Sequence, residues 1–209
     1  MLLALLSVLC ILLVLYGRLA PRGVPWASQL TRLNAGLGAA EWLAPPQVIE
    51  QVICDYQTAQ DWQVMCAPNW GRFVEGLDRY TTGAYLKYQQ RALASLVGHE
   101  PRVAVEQAAA HQIEIRYFTA DGLWCLLIDR QTARSLTTSN YWTGRVLHKQ
   151  HLQDAALVYQ MAYDLHDRRW KIGRLIQELP LGTYWGAAAG RSARVIVAAD
   201  LPTVIGRDA

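Results

Sequence analysis

The stretch Val158-Tyr159-Gln160-Met161-Ala162-Tyr163-Asp164-Leu165, followed after a short charged turn by Arg169-Trp170-Lys171-Ile172, decides the fold. Tyr159, Met161, Tyr163 and Leu165 alternate with Gln160, Ala162 and Asp164, the period of two that puts one set of side chains on each face of a strand. His166 to Arg169 turns the chain, and Trp170 to Leu179 reads as the last strand, stopped by Pro180. A turn this short makes the two strands an antiparallel hairpin.

Upstream the same period holds. Ile113, Ile115 and Tyr117 alternate with Gln112, Glu114 and Arg116; Ala120-Asp121-Gly122 is a turn signal; Leu123 to Asp129 reads as a second strand, apolar on both faces. Polar residues 130–143, with Thr137, Thr138, Ser139 and Asn140, read as a long hairpin end. A third strand is expected within 145–165.

Before residue 102 the period is helical. Pro45 and Pro46 suit a helix start, and Val48, Ile49, Val52, Ile53, Tyr56 and Ala59 then recur at three- and four-residue spacing, giving one apolar face. Pro68 ends that helix. A second is expected around Phe73, Val74 and Leu77, and a third carries Tyr85, Tyr88, Ala92 and Leu96 before Gly98 and Pro101. Helices first and an antiparallel meander afterwards predict an α+β domain.

The first sixteen residues contain no charge, and Arg18, Arg22 and Arg32 follow with no acid before residue 41. Charges after an apolar stretch, with no basic region before it, predict a single transmembrane anchor over 1–20 rather than a cleaved signal peptide. The basic flank then places the C-terminal domain on the cytoplasmic, matrix or stromal side of the membrane. Residues 21–45 form a basic neck in which Trp26 and Trp42 suit either the lipid headgroup layer or packing on the domain itself. A domain follows over 46–180, and an extended tail over 181–209.

With those three arginines set apart, 17 Lys and Arg face 17 Asp and Glu. A neutral domain of this kind does not fit a nucleic-acid binder, which carries a basic stripe. Cys10, Cys54, Cys66 and Cys125 form no CxxC pair and read as free thiols. His148, His151 and Asp154 lack ligand geometry if the segment is a strand, because His148 and His151 then lie on opposite faces. His99 and His111 have no neighbouring acid at ligand spacing, and His166 belongs to a turn. No GxSxG, GxGxxG, HExxH or Gly-Lys-Ser/Thr motif occurs. No metal, cofactor or catalytic set is expected.

The three helical segments and the closing hairpin, from Val158 to Leu165 and from Arg169 to Ile172, resemble the nuclear-transport-factor-2-like superfamily over residues 46–179. The layout is most similar to its membrane-tethered members, the Tim44-like and plastid-division intermembrane-space domains. The resemblance implies a curled sheet wrapped around helices, with a cone-shaped interior in which Tyr56, Tyr117, Tyr163 and Trp170 line the candidate pocket. It also brings in ketosteroid-isomerase-like and dehydratase enzymes, for which Tyr56, Asp61, Tyr117 and Tyr163 are the matching candidates.

Eight Trp and ten Tyr exceed what one small core needs, and Trp and Tyr are the residues of protein interfaces. The tail, with Tyr184, Trp185, Val195, Ile196 and Val197, is too apolar to stand in water and is expected to dock. The leading expectation is therefore a non-catalytic accessory or scaffolding subunit that docks onto other subunits of a membrane complex through its domain and tail. The alternatives are a lipid or small apolar ligand-binding module, then an isomerase-like enzyme. A filled interior favours the first, a cavity beside Tyr163 and Trp170 the second, and a pocket Asp bonded to a Tyr the third.

Overall fold

A computed structural model describes residues 24–33, 35, 42–66, 70–95, 102–140, 142–181 and 194–197. Among the described residues four helices precede eight strands: α1 Ala27–Leu33, α2 Pro46–Cys66, α3 Trp70–Tyr80, α4 Gly83–Ser95, β1 Arg102–Gln107, β2 Ala110–Phe118, β3 Trp124–Thr132, β4 Ser135–Asn140, β5 Val146–His151, β6 Ala155–Asp164, β7 Arg169–Pro180 and β8 Arg194–Val197. They form an α+β fold with two antiparallel sheets, ordered β7-β6-β3-β2-β8 and β1-β4-β5.

The expected N-terminal transmembrane helix is corrected. No described helix is long and apolar enough to cross a membrane. Residues 1–20, on which that expectation and Arg18 and Arg22 fall, lie outside the described residues. The described residues form an α+β fold, and no membrane span lies among them.

Helix α2 begins where Pro46 fits the first turn, with the Pro45 carbonyl accepting from the amides of Val48 and Ile49. Its buried residues, Val48, Val52, Ile53, Tyr56, Ala59, Trp62 and Cys66, trace one stripe. That stripe meets the face of the larger sheet formed by Ile113, Ile115, Leu127, Tyr159, Met161, Trp170 and Ile172. Burying this many large side chains contributes about 1.5–3 kcal/mol each before entropy is counted. The Asp55 carboxylate adds a polar tie, accepting from the Trp170 amide at 2.8 Å. A satellite cluster lies at the far end of α2, where Trp62 stacks on Phe73 and Tyr80 at centroid distances of 5.0 and 4.7 Å.

The sheet departs from a simple meander. Strand β3 pairs with β6, and the residues between them form a second sheet, in which β4 pairs with β1 and β5. The segment read as one hairpin end and one strand, 130–165, is thus parts of four strands. Arg134, buried in the β3–β4 turn, holds the two sheets together: it donates to Glu106 on β1 at 2.8 and 2.5 Å, to Glu178 on β7 at 2.7 Å and to the Gln153 carbonyl at 2.9 Å. A planar guanidinium with five donors suits this four-way junction in a way a lysine does not.

Candidate functional site

The inner face of β3 carries Cys125, Leu127, Asp129 and Gln131 at period two, so the apolar row turns polar toward the end of the strand. Asp129 has no exposed surface. Three donors converge on its Oδ2: the Tyr56 hydroxyl from α2 at 2.9 Å, Nδ1 of His111 from β2 at 2.9 Å and the Gln131 amide at 2.7 Å. Its Oδ1 is buried and meets no hydrogen-bond donor among the described residues. A carboxyl group in this position is a high-stakes feature, because a buried oxygen left without a donor is costly.

The neighbours extend the network. Tyr159 on β6 packs on Tyr56 with centroids 5.5 Å apart, and Tyr85 from α4 meets Tyr159 edge-on at 6.3 Å. Burial, reinforced by the charge of Asp129, pushes the Tyr56 phenol far above its usual range, and burial does the same at Tyr159. Both hydroxyls therefore act as neutral donors. For His111, burial works against protonation, but the hydrogen bond and charge of Asp129, with Asp61 beyond, outweigh it and raise the pKa above the ordinary histidine value. Asp61 is itself raised, by burial opposed by His111. The bond from Nδ1 to Asp129 orients the ring and assigns Nε2 the outward position.

The expected site residues separate into groups. Tyr56 belongs to the Asp129 network. Tyr163 and Trp170 sit together elsewhere, and the space beside them is taken by Trp26: its ring meets Tyr163 edge-on at 4.8 Å and lies 6.3 Å from Trp170. Trp26 thus packs on its own domain, and Trp42 is half-buried. Tyr117 is a half-buried residue at a β-bulge between Arg116 and Phe118, with a positive φ of 46°, and joins neither group. Tyr184 and Trp185 lie outside the described residues. Val195, Ile196 and Val197 are in β8, opposite Gln112, His111 and Ala110 of β2.

His111 and Asp129 were missed because ligand and catalytic spacings are read along the chain, while these two meet across a strand pair. The available signal was Asp129 and Gln131 continuing the core-facing alternation of Cys125 and Leu127. No group of three or more metal-ligating side chains occurs among the described residues.

The surface offers a second feature. Strand β7 is an edge of the larger sheet. Thr81 and Thr82 cap its first half, the Thr82 amide donating to the Ile172 carbonyl at 2.9 Å. From Arg174 to Glu178 every residue is exposed, including Leu175 at 41% and Ile176 at 44%. Strand β5, an edge of the smaller sheet, is exposed along its whole length, with Val146 and Leu147 outward and Trp142 preceding it.

No family model matches this chain, and no curated protein matches it. Among solved structures the chain is similar to the intermembrane space region of chloroplast protein ARC6, with a TM-score of 0.45 and 15% identity over 66% of this chain and 98% of that one. This is a distant structural likeness that carries no argument about family, compartment or function, and it leaves the nuclear-transport-factor-2-like resemblance unestablished.

Proposed function

We propose that this domain is an accessory subunit that docks onto another protein through the open edge of its larger sheet. The observation that carries this reading is the run Arg174–Glu178, an edge segment with unshared backbone groups among the described residues and two exposed aliphatic side chains, Leu175 and Ile176. Charges at Arg174 and Glu178 and a bulge at Ile176 blunt this edge in part, as native sheets do, but the two aliphatic side chains between those charges stay exposed to an incoming strand. A partner adding an extended segment gains main-chain hydrogen bonds along β7, with side-chain specificity from Leu175 and Ile176. The filled space beside Tyr163 and Trp170 supports docking over binding of an apolar ligand there.

The experiment is mild-detergent extraction of the native source, capture of this chain and sizing of what accompanies it. The expected result is a stoichiometric assembly that Leu175→Lys with Ile176→Lys dissolves while the domain keeps its melting temperature. A free 23.4 kDa chain in the unmutated extract overturns the reading.

A second reading rests on the Tyr56–Asp129 bond. An unmet carboxyl oxygen at Oδ1, neutral phenols and an imidazole held by its Nδ1 are the parts of a proton-transfer site, in which His111 accepts a proton at Nε2 and Tyr159 donates a hydrogen bond to a developing oxyanion, the Tyr56 proton being already given to Asp129. It predicts binding of a small molecule that carries a hydroxyl or amino donor, detected as a chemical-shift change at His111 that disappears in Asp129→Asn.

A further inference from the structure

The smaller sheet is held at one end. There Arg134 ties β1 to β7, the Leu152 amide donates to the Arg134 carbonyl at 2.9 Å, and the Ala133 amide donates to the Asp154 carboxylate at 2.8 Å. From this base β4 runs six residues outward, which carries its far end about 17 Å away. Every residue of β4 is only half-buried and every residue of β5 is exposed, so the pair stands out from the domain like a finger.

The far end of the finger is a well-bonded turn. The Asn140 side chain accepts from the amides of Trp142 and Thr143, both at 2.9 Å, and the Asn140 carbonyl accepts from the Gly144 amide at 2.9 Å. Gly144 closes the turn with a φ of +67°, and the Asn140 amide donates to the Arg145 carbonyl at 2.8 Å. This frame holds three large apolar side chains in solvent: Trp142 is 75% exposed, Val146 55% and Leu147 46%. Val146 pairs with Ser139, and Leu147 is the extra residue of the bulge that follows.

Charge at this end has one sign. From Ser135 to Gln153 the chain carries Arg145 and Lys149 and no acid. Register sets Lys149 opposite Thr137, and the acid of the smaller sheet, Glu106, is at the base with Arg134. An exposed tryptophan with two aliphatic neighbours and cations beside it fits the boundary layer of a bilayer, where indoles settle and basic side chains meet anionic headgroups. An added protein strand fits less well. Beyond Leu147 the β5 edge offers it only His148, Lys149, Gln150 and His151, and Trp142 lies off that edge in the turn.

We propose that the end of the β4–β5 hairpin docks the domain on an anionic lipid surface, with Trp142, Val146 and Leu147 in the headgroup layer and Arg145 and Lys149 against lipid phosphates. This surface belongs to the smaller sheet and leaves the β7 edge free for a protein partner.

The test is photo-crosslinking with the full chain, purified in mild detergent and transferred to vesicles. p-Benzoylphenylalanine replaces Trp142, and in a control protein Leu165, which is exposed in the turn after β6. Lipid adduct is read by mass spectrometry per vesicle-bound chain, which isolates the finger from any other segment that meets lipid. The expected result is a one-lipid adduct from position 142 on vesicles of phosphatidylcholine with phosphatidylglycerol. Each cation near such a surface is worth about a fivefold change in occupancy, so Arg145→Glu with Lys149→Glu is expected to lower the yield about thirtyfold at an unchanged melting temperature. An equal yield on phosphatidylcholine alone, an equal yield from position 165, or no lipid adduct overturns the proposal. So does an adduct from position 142 that joins two chains, or one that in native membranes joins another protein in place of lipid. Leu175→Lys with Ile176→Lys is expected to leave the yield unchanged, which separates this result from the fate of the docking reading.

Discussion

The hydroxyl of Tyr56 and Oδ2 of Asp129, 73 residues apart in sequence, meet at 2.9 Å inside the domain and join the long helix to the middle of the larger sheet. Tyr56→Phe leaves the ring and removes one of three donors to a carboxyl group whose other oxygen already lacks one. The expected loss is about 1–3 kcal/mol of stability, read by chemical denaturation, the range for one lost hydrogen bond to a carboxyl group whose Oδ2 keeps its donors from His111 and Gln131. Asp129→Ala is expected to cost more than Tyr56→Phe, because it strands the phenol, the imidazole and the Gln131 amide together. If the two variants lose the same amount, the network is not centred on Asp129.

His111 couples this network to pH. Its folded pKa is raised above the usual value of 6.5, so its contribution is complete below the unfolded pKa and is lost as pH rises through the folded one. The groups that share its surroundings are Asp129 and Gln131 on β3, Asp61 and Tyr56 on α2, and Tyr159 on β6. The expected outcome is that the stability gap between the unmutated chain and His111→Asn narrows as pH is raised from mildly acidic to mildly alkaline. A gap that stays constant across that range removes the charged imidazole from the account.

The hairpin turn after β6 responds at the opposite end of the scale. Asp164 is lowered to about 2, chiefly by its hydrogen bond from Lys171, a 2.9 Å contact, with the amides of His166 and Asp167 adding to it. A depressed acid contributes stability that is present above its unfolded pKa of about 4 and is lost as pH falls toward 2. Asp164→Asn is expected to flatten the acid limb of the stability profile, and an unchanged acid limb contradicts the assignment.

Arg134→Met probes the junction between sheets. Glu106 and Glu178 are partly exposed and recover water, so the expected cost is about 1–3 kcal/mol, mostly from the lost hydrogen bonds to them and to the Gln153 carbonyl. Hydrogen exchange should rise in β1 and in the last part of β7 together. Exchange rising in one strand alone would show that the arginine is not the link between them.

Gly122→Ala tests how the segment before α1 is held. Gly122 has φ of +71°, and a Cβ there falls 2.4 Å from Cγ2 of Val24 and 2.7 Å from Nε1 of Trp26. Strain and collision act together, and the expected loss is about 1–3 kcal/mol with a red-shifted tryptophan emission as Trp26 leaves Tyr163 and Trp170. An unshifted emission spectrum means Trp26 is anchored by something else.

The sequence was most readable where burial is one-sided and periodic. Val48, Val52, Ile53, Tyr56 and Ala59 announced α2 because a helix lying on a sheet needs one apolar stripe. Tyr159 and Met161 announced β6 in the same way. The smaller sheet was illegible for the converse reason. Thr137, Thr138, Ser139 and Asn140 are half-buried on both faces, and all six residues of β5 are exposed, so no alternation is imposed on either strand. The polar site was half-legible: Tyr56 stood on a core face, but its partners Asp129 and His111 come from strands whose pairing only the folded chain defines. The membrane helix expected from the charge-free opening rested on residues 1–20, and no described helix supports it.

The position of β8 bears on how the protein is made. The last described segment to leave the ribosome takes an outer place in the larger sheet, against β2, a strand made some eighty residues earlier. Strands β2, β3, β6 and β7 already pair with one another without it, so a nascent chain can hold a four-stranded sheet on its helices before Arg194–Val197 is synthesised. Until then the outward edge of β2, from Ala110 to Ile113, stands open. During that interval the backbone groups on the outward side of β2 are unshared, and their exposure to wrong pairing ends once Arg194–Val197 takes its place beside them.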